Sequence, residues 1–282
     1  MIRLDEFKKL MTRRHEWETK KVKRSLIENK YANYTGLIHA IELHVPYTKY
    51  DLLTEPIVRA RDYKGKKLCI LNGDTLNFDM FSMFFKTTPN VSDPIDEVKD
   101  MIDIMKVLTS TYDEVLYLLS NHDQRMKKII YKNFPDKQMA TALTMFLSDV
   151  TDYLQDEGIK NATVVDNVFV MLGDTIFCHM EKNSTVPGSI SRDMVSYFKP
   201  RIQKDFNAIY QSHTHGQSTI PIDRVLFVET GCLADTFDYW RNGKLQGVRK
   251  MSSLGYGEAI MNRGKIDIRN SRAIPLAWEG WL

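Results

Sequence analysis

Apolar positions recur along the chain with two periods, and the alternation between them predicts a mixed α/β protein. Residues 3–30 read as a helix: Leu4, Phe7, Leu10 and Met11 share a face, Trp17 continues it, and no Gly or Pro interrupts it. Residues 34–41 read as a strand ending at Glu42. Residues 52–60 suit a helix only if Pro56 falls in its first turn, where a missing N–H costs nothing. The continuous run Leu68-Cys69-Ile70-Leu71 predicts a central strand over 67–72, covered on both faces. Residues 92–112 form the clearest helix, with Ser92 or Asp93 as cap, Pro94 in the first turn, and Ile95, Val98, Met101, Ile102, Met105 and Leu108 at helical spacing. A buried strand follows over 115–119, then one long helix over 137–155. Short strands are expected at 163–165, 168–172 and 175–178, and a helix over 189–204. Further strands are expected at 208–210, 220–229, 257–261 and 265–268. Strands first alternate with helices and then cluster, which implies one mixed α/β domain.

Composition narrows the class. Of 282 residues, 43% are hydrophobic and 27% charged, the balance of a globular chain with a substantial core rather than a disordered one. No apolar run approaches the roughly 20 residues of a membrane span, and the charged start lacks the apolar stretch of a signal peptide. Cys69, Cys178 and Cys232 are few, scattered and odd in number, so no disulfide framework is expected and a reducing, cytoplasmic location is. Charge is uneven. Residues 1–35 carry ten Lys or Arg against five acids, a local +5 within a whole-chain +3, which leaves −2 for the rest. Residues 1–34 therefore read as a basic helical segment and 35–282 as the main domain. Such an arm suits DNA or RNA, and it equally suits a solvated helix face.

The candidate chemistry lies where predicted strands give way to loops. Four short pieces occur in order: Glu42-Leu43-His44, Asn72-Gly73-Asp74, Asn121-His122-Asp123 and His213-Thr214-His215. In open α/β sheets, ligands collect beyond the carboxyl ends of strands. A mixed His, Asp, Asn and Glu set without Cys suits a borderline or hard divalent metal. Each piece alone has a plain structural reading. Asp74 suits a turn after Gly73, His122 and Asp123 suit the cap of a following helix, and a strand-end histidine such as His179 suits a core. His39, inside a strand, and His15, on the basic helix, are assigned to structure.

The pieces together resemble the calcineurin-like metallophosphoesterase superfamily, whose pattern is Asp-x-His, Gly-Asp, Gly-Asn-His-Asp or -Glu, a lone His, and Gly-His-x-His. The resemblance runs over about residues 35–230. Between Asp123 and Ser212 the only histidine is His179, which takes the lone place. The stretch Thr230-Gly231-Cys232-Leu233 is similar to phage-type members, and the motif order to the DNA-repair nucleases. The resemblance implies a four-layer α/β/β/α sandwich of two mixed sheets with a dinuclear metal site at the strand C-terminal edge. It implies Glu42, His44 and His215 on a first metal, Asp74 bridging, and Asn121, His179 and His213 on a second. It places His122 beside the leaving group, oriented by Asp123. The ions are expected to be two divalent metals, manganese first, with iron, zinc or nickel as alternatives.

Four departures stand out. Glu42 replaces the family Asp, Ser120 and Ser212 replace glycines, and Asn77 stands where many members carry a second acid, with Asp79 two residues on. The expected activity is two-metal hydrolysis of phosphodiesters, with DNA or RNA the leading substrate. The alternatives are a small-molecule or nucleotide phosphodiesterase or phosphatase, and a non-catalytic metal-binding scaffold. No membrane partner is expected.

Overall fold

The parity of apolar residues within each strand decides how the layers stack. A computed structural model describes residues 24–82, 92–182, 184, 186, 188–234 and 253–276. Strands β1 (Gly36–Ile41), β2 (Lys67–Leu71), β3 (Glu114–Leu118) and β4 (Ala162–Val165) pair in parallel and in sequence order. The strand Gly255–Asn262 runs antiparallel to β1, and Lys265–Ile266 and Arg272–Pro275 pair with it at the sheet edge. A second sheet has the order β5 (Phe169–Leu172), β6 (Thr175–Cys178), β7 (Ala208–Gln211), β9 (Val225–Thr230), β8 (Gln217–Ile222). Strands β6, β7 and β9 are parallel.

Even positions of the first sheet, Ile38, Ala40, Leu68, Ile70, Leu116 and Leu118, face Val170, Leu172, Phe177, Ala208, Tyr210 and Val228 of the second, and all are buried. Odd positions such as Cys69, Leu71, Val115 and Tyr117 meet three helices: α2 (Tyr50–Asp62), α3 (Pro94–Thr111) and α6 (Val150–Asp156). On the far face of the second sheet, Ile176, Ile209 and Phe227 meet Met194, Val195 and Phe198 of α7 (Ser191–Phe198). The result is the α/β/β/α sandwich, two mixed sheets with helices outside. Among the described residues no helix is long and apolar enough to cross a membrane.

Several elements differ from the sequence expectation, each for a local reason. The helix expected over 137–155 is two, α5 (Lys137–Phe146) and α6, because the Asp149 side chain accepts from Thr151 N–H and Asp152 reaches back to Asp149 N–H. The strand expected over 220–229 is a hairpin whose turn residues Asp223 and Arg224 both take positive φ, 47° and 68°. Pro56 sits within α2 rather than in its first turn, buried, with its carbonyl accepting from Tyr112 OH at 3.1 Å. Helix α4 (Arg125–Asn133) follows the His122 motif directly.

Of the basic N-terminal segment, residues 1–23, and with them His15 and Trp17, lie outside the described residues. The remainder forms α1 (Arg24–Lys30), whose Ile27, with Tyr31 and Tyr34 after it, is buried in the inter-sheet core. Residues 24–34 thus pack as part of the domain. Lys30 and Tyr31 both bind Glu114, the first residue of β3, so α1 lies at the amino-terminal edge of that strand. Arg24 is taken by Glu28 at 3.1 Å and lies over the Phe169 ring. All three cysteines are buried and free.

Candidate metal centre

Because β1, β2 and β3 are parallel, their carboxyl ends deliver Glu42, Asn72 and Leu119 to one edge, and β6 and β7 deliver His179 and Ser212 to the facing edge. Asn72 ties the two sheets there: its Nδ2 donates to Cys178 O at 3.1 Å and to Ser212 Oγ at 2.8 Å. Ser212 Oγ also pairs with Thr230 Oγ1 at 2.9 Å. Ser120 Oγ accepts from Asp74 N–H at 2.9 Å. Ser120 and Ser212, each preceding a motif residue, therefore hold the loops of the site. Gly73 is required twice over. Its φ is +91°, and a Cβ there would meet the His179 ring at 2.3 Å.

All five sequence pieces meet at this edge. Glu42 Oε1 lies 3.0 Å from His44 Nε2, 3.2 Å from His215 Nε2 and 3.3 Å from His179 Nε2. Its other oxygen accepts the His213 backbone N–H at 3.0 Å. Asp74 Oδ2 lies 3.2 Å from His179 Nε2, 3.7 Å from His122 Nε2 and 3.8 Å from His44 Nε2. Ligand atoms of Glu42, His44 and His215 cluster within 4.8 Å, as do those of Asp74, His179 and His213, and those of His44, Asp74 and His122. The extra methylene of Glu42 has a geometric use: the side chain spans from its own strand end to three imidazoles and to the backbone of the second sheet.

Four of these residues hold left-handed backbone: His44 (φ 55°), Asp74 (44°), His213 (67°) and His215 (51°). Such conformations cost about 1–3 kcal/mol each and persist where surrounding contacts fix them. Here His44 N–H donates to Asp74 O at 2.8 Å, and Thr214, between the two histidines, donates its hydroxyl to buried Glu229 at 3.0 Å. The concentration of strain at the residues with chemical potential marks the site independently of the motifs.

The electrostatics follow from packing two carboxylates among imidazoles. Burial alone would raise Glu42, but His215, then His179 and His44, pull it well below the usual carboxylate range. Asp74 is likewise pulled down against burial, by His179, His122 and His44. His179 is raised well above the ordinary imidazole value, burial being overcome by Asp74 and Glu42. Burial, with His179 beside it, pushes His213 down to about 4.

His122 is held differently from the sequence expectation. Its Nδ1 lies 3.0 Å from Asn77 Oδ1, an acceptor, so Nδ1 carries the proton. Its Nε2 lies 2.7 Å from Arg125 Nη2, a permanent donor, so Nε2 presents its lone pair. Burial depresses this imidazole well below its usual value, and the nearby His44 and Arg125 add to that. Asp123 does not orient it. Its carboxylate is engaged by Ser120 N–H at 2.9 Å, Tyr117 OH at 2.8 Å and Leu76 N–H at 3.1 Å. Asp123 is thus a brace between β3 and the Asp74 loop, itself raised by burial and by Asp74. The orienting role falls to Asn77, whose Oδ1 also accepts from His44 Nδ1 at 3.1 Å. Arg125 was not among the sequence candidates. It is held by Asn77 O at 2.6 Å and Asp79 at 3.2 Å, and Asp79 in turn takes Tyr47 OH at 2.7 Å. Its place two residues after Asp123 was the available signal.

The residues fit divalent metal. Two imidazole nitrogens each about 2.1 Å from one ion, at about a right angle, stand about 3.0 Å apart. Nε2 of His44 and Nε2 of His215 stand 3.0 Å apart. Asn121 Oδ1 and Nδ1 of His213 are shut from solvent and make no hydrogen bond, an unfavourable state that a metal bond relieves.

No family model and no curated protein matches the sequence. Among solved structures, the chain is similar to an archaeal phosphodiesterase at 12% identity and a TM-score of 0.40, over 85% of this chain and 99% of that one. It is similar to a conserved protein described as a predicted phosphoesterase from Streptococcus pneumoniae, at 11% identity and a TM-score of 0.34, over 81% and 84%. It is also similar to Vps29 complexed with zinc from Entamoeba histolytica, at 10% identity and a TM-score of 0.41, over 82% and 88%.

Proposed function

We propose that the chain is a calcineurin-like metallophosphoesterase that hydrolyses phosphodiesters. One observation carries this reading: five motif pieces, spread from Glu42 to His215, bring their nitrogens and oxygens together around Glu42 Oε1 and Asp74 Oδ2.

Glu42, His44 and His215 would hold one ion and Asn121, His179 and His213 the other, with Asp74 between them. Bound divalent ions supply charge neutralisation of phosphate and activation of water near neutral pH. The neutral amide of Asn121 adds a ligand oxygen without adding charge that repels phosphate. Asn77 keeps His122 in one tautomer with Nε2 facing the Asp74 side. In the proposed reaction Arg125 leaves His122 for the phosphate oxygens, a charge-assisted contact its fork is shaped for. Nε2, freed from that cation, takes a proton from solvent and passes it to the departing oxygen, which returns His122 to its neutral form with Nδ1–H still on Asn77. Manganese is the proposed metal and nucleic acid the proposed natural diester.

The test is hydrolysis by purified protein with Mn²⁺ of bis-p-nitrophenyl phosphate, p-nitrophenyl phosphate, and single- and double-stranded DNA. Diester cleavage lost on chelation supports the reading. Cleavage of the monoester alone reassigns it to phosphatase chemistry, and no cleavage of any ester supports a non-catalytic metal-binding role.

A further inference from the structure

Helices α4 and α5 form a hairpin that leaves the site directly behind His122. Helix α4 buries no residue fully, and the two helices pack chiefly on each other and on the short turn Asp79–Phe81. Tyr131, Phe134, Met139 and Leu143 are all more than a third exposed, a concentration of large apolar side chains within 13 residues. Residues 125–147 also carry five Lys or Arg (Arg125, Lys127, Lys128, Lys132, Lys137) against one acid, Asp136. A net +4 thus coincides with exposed rings.

We infer that the exposed face of the α4–α5 hairpin, with Lys128, Lys132 and Tyr131 at its centre, is a docking surface for single-stranded nucleic acid leading into the candidate metal centre. This rests on the phosphodiester reading of that centre.

Arg125, Lys128 and Lys132 lie at i, i+3 and i+7, one face of the helix. At about 1.5 Å per residue the stripe is about 10 Å long, enough to lie beside successive phosphates of one strand. The stripe begins at the guanidinium that touches His122, so it is continuous with the place where a phosphate would react. Tyr131, next to Lys132, offers an exposed ring on which any base can stack. A small ester at the metals has no reach along this stripe. A second copy of the chain is disfavoured as occupant, because two surfaces of net +4 would repel. The ion pair of Lys128 with Glu181 is long, 3.9 Å, and exposed, so it competes weakly with a polyanion. The described part of the N-terminal basic segment is no rival, since α1 packs against the first residue of β3, away from its carboxyl end.

The test is fluorescence anisotropy of a labelled 20-nucleotide single-stranded DNA with the full chain, in chelator so that no strand is cut. Lys128→Glu with Lys132→Glu should weaken binding at least ten-fold. It should flatten the plot of log K against log salt by about 1.4, at about 0.7 per phosphate contact. Tyr131→Ala should weaken binding several-fold and Tyr131→Phe should restore it. All three variants should keep wild-type hydrolysis of bis-p-nitrophenyl phosphate with Mn²⁺. Unchanged affinity and slope in the double variant overturn the inference, as does binding of anionic vesicles without binding of the oligonucleotide. A shift from dimer to monomer on sedimentation of the double variant would overturn it in favour of a self-interface. Oligonucleotide binding with no ester hydrolysis by the wild type would keep the surface and reject the phosphodiesterase.

Discussion

Asn77 Oδ1 lies 3.0 Å from His122 Nδ1 across 45 residues of sequence, while Asp123, the immediate neighbour of His122, faces away toward Tyr117, Ser120 and Leu76. The same amide oxygen lies 3.1 Å from Nδ1 of His44. One acceptor therefore sets the tautomer of a proposed metal ligand and of the proposed acid. Partners of this kind tune ligands by about 10–100-fold. Asn77→Ala should lower both Mn²⁺ affinity and kcat on a diester by factors in that range. Wild-type values for both in the variant would show that the contact is incidental.

Asp123 should matter for folding more than for turnover. Asp123→Ala leaves the Leu76 and Ser120 N–H groups and the Tyr117 hydroxyl without their acceptor, and buried donors left unpaired cost about 1–3 kcal/mol each. A loss of about 3 kcal/mol in denaturant unfolding is expected, with kcat of the folded fraction changed far less than in His122→Asn. A variant of wild-type stability and abolished turnover would return Asp123 to the orienting role.

Glu42 uses its length twice, with Oε1 toward three imidazoles and Oε2 on His213 N–H. Glu42→Asp retracts the carboxylate, so it should weaken Mn²⁺ binding and lower the rate, and Glu42→Gln should do the same by removing the charge. A titration of activity against Mn²⁺ reads both. Tighter binding and a faster rate in Glu42→Asp would mean that the native glutamate handicaps the site.

Away from the site, buried Glu258 is held down to about 2: burial opposes ionisation, but His39 and the Arg59 pair overcome it. A carboxylate lowered on folding contributes stability that is present above the ordinary glutamate value and lost as pH falls through the folded value. Unfolding free energy should therefore fall with acid between about pH 4.5 and pH 2. Glu258→Gln should flatten that slope. An equally steep acid limb in the variant would locate the sensitivity elsewhere.

The parts legible in the sequence were those with a local cause. The apolar run Leu68–Leu71 could only be a strand covered on both faces, and Asp93 with Pro94 marked the start of a helix whose apolar spacing continued to Leu108. The order of the His, Asp and Asn pieces pointed to one sheet edge, where they meet. What was not legible depends on groups distant in sequence. Asn77 reaches His122 only because two strand-end loops lie side by side, and Asp123 turns inward only because Tyr117 and Leu76 present donors there. The break between α5 and α6 was obscured by apolar residues on both sides of Asp149, whose cap forms only with Asp152 in place. The hairpin at Asp223-Arg224 lacks the glycine that usually marks such a turn.

The central claim is a two-ion centre bridged by Asp74, and the Mn²⁺ stoichiometry of the purified chain tests it most directly. Wild type should take up two ions per chain by calorimetric titration, and Asp74→Ala, which removes the carboxylate proposed to bridge the two ligand groups, should lose both. Fewer than two ions in the wild type, or two retained in Asp74→Ala, would contradict the account.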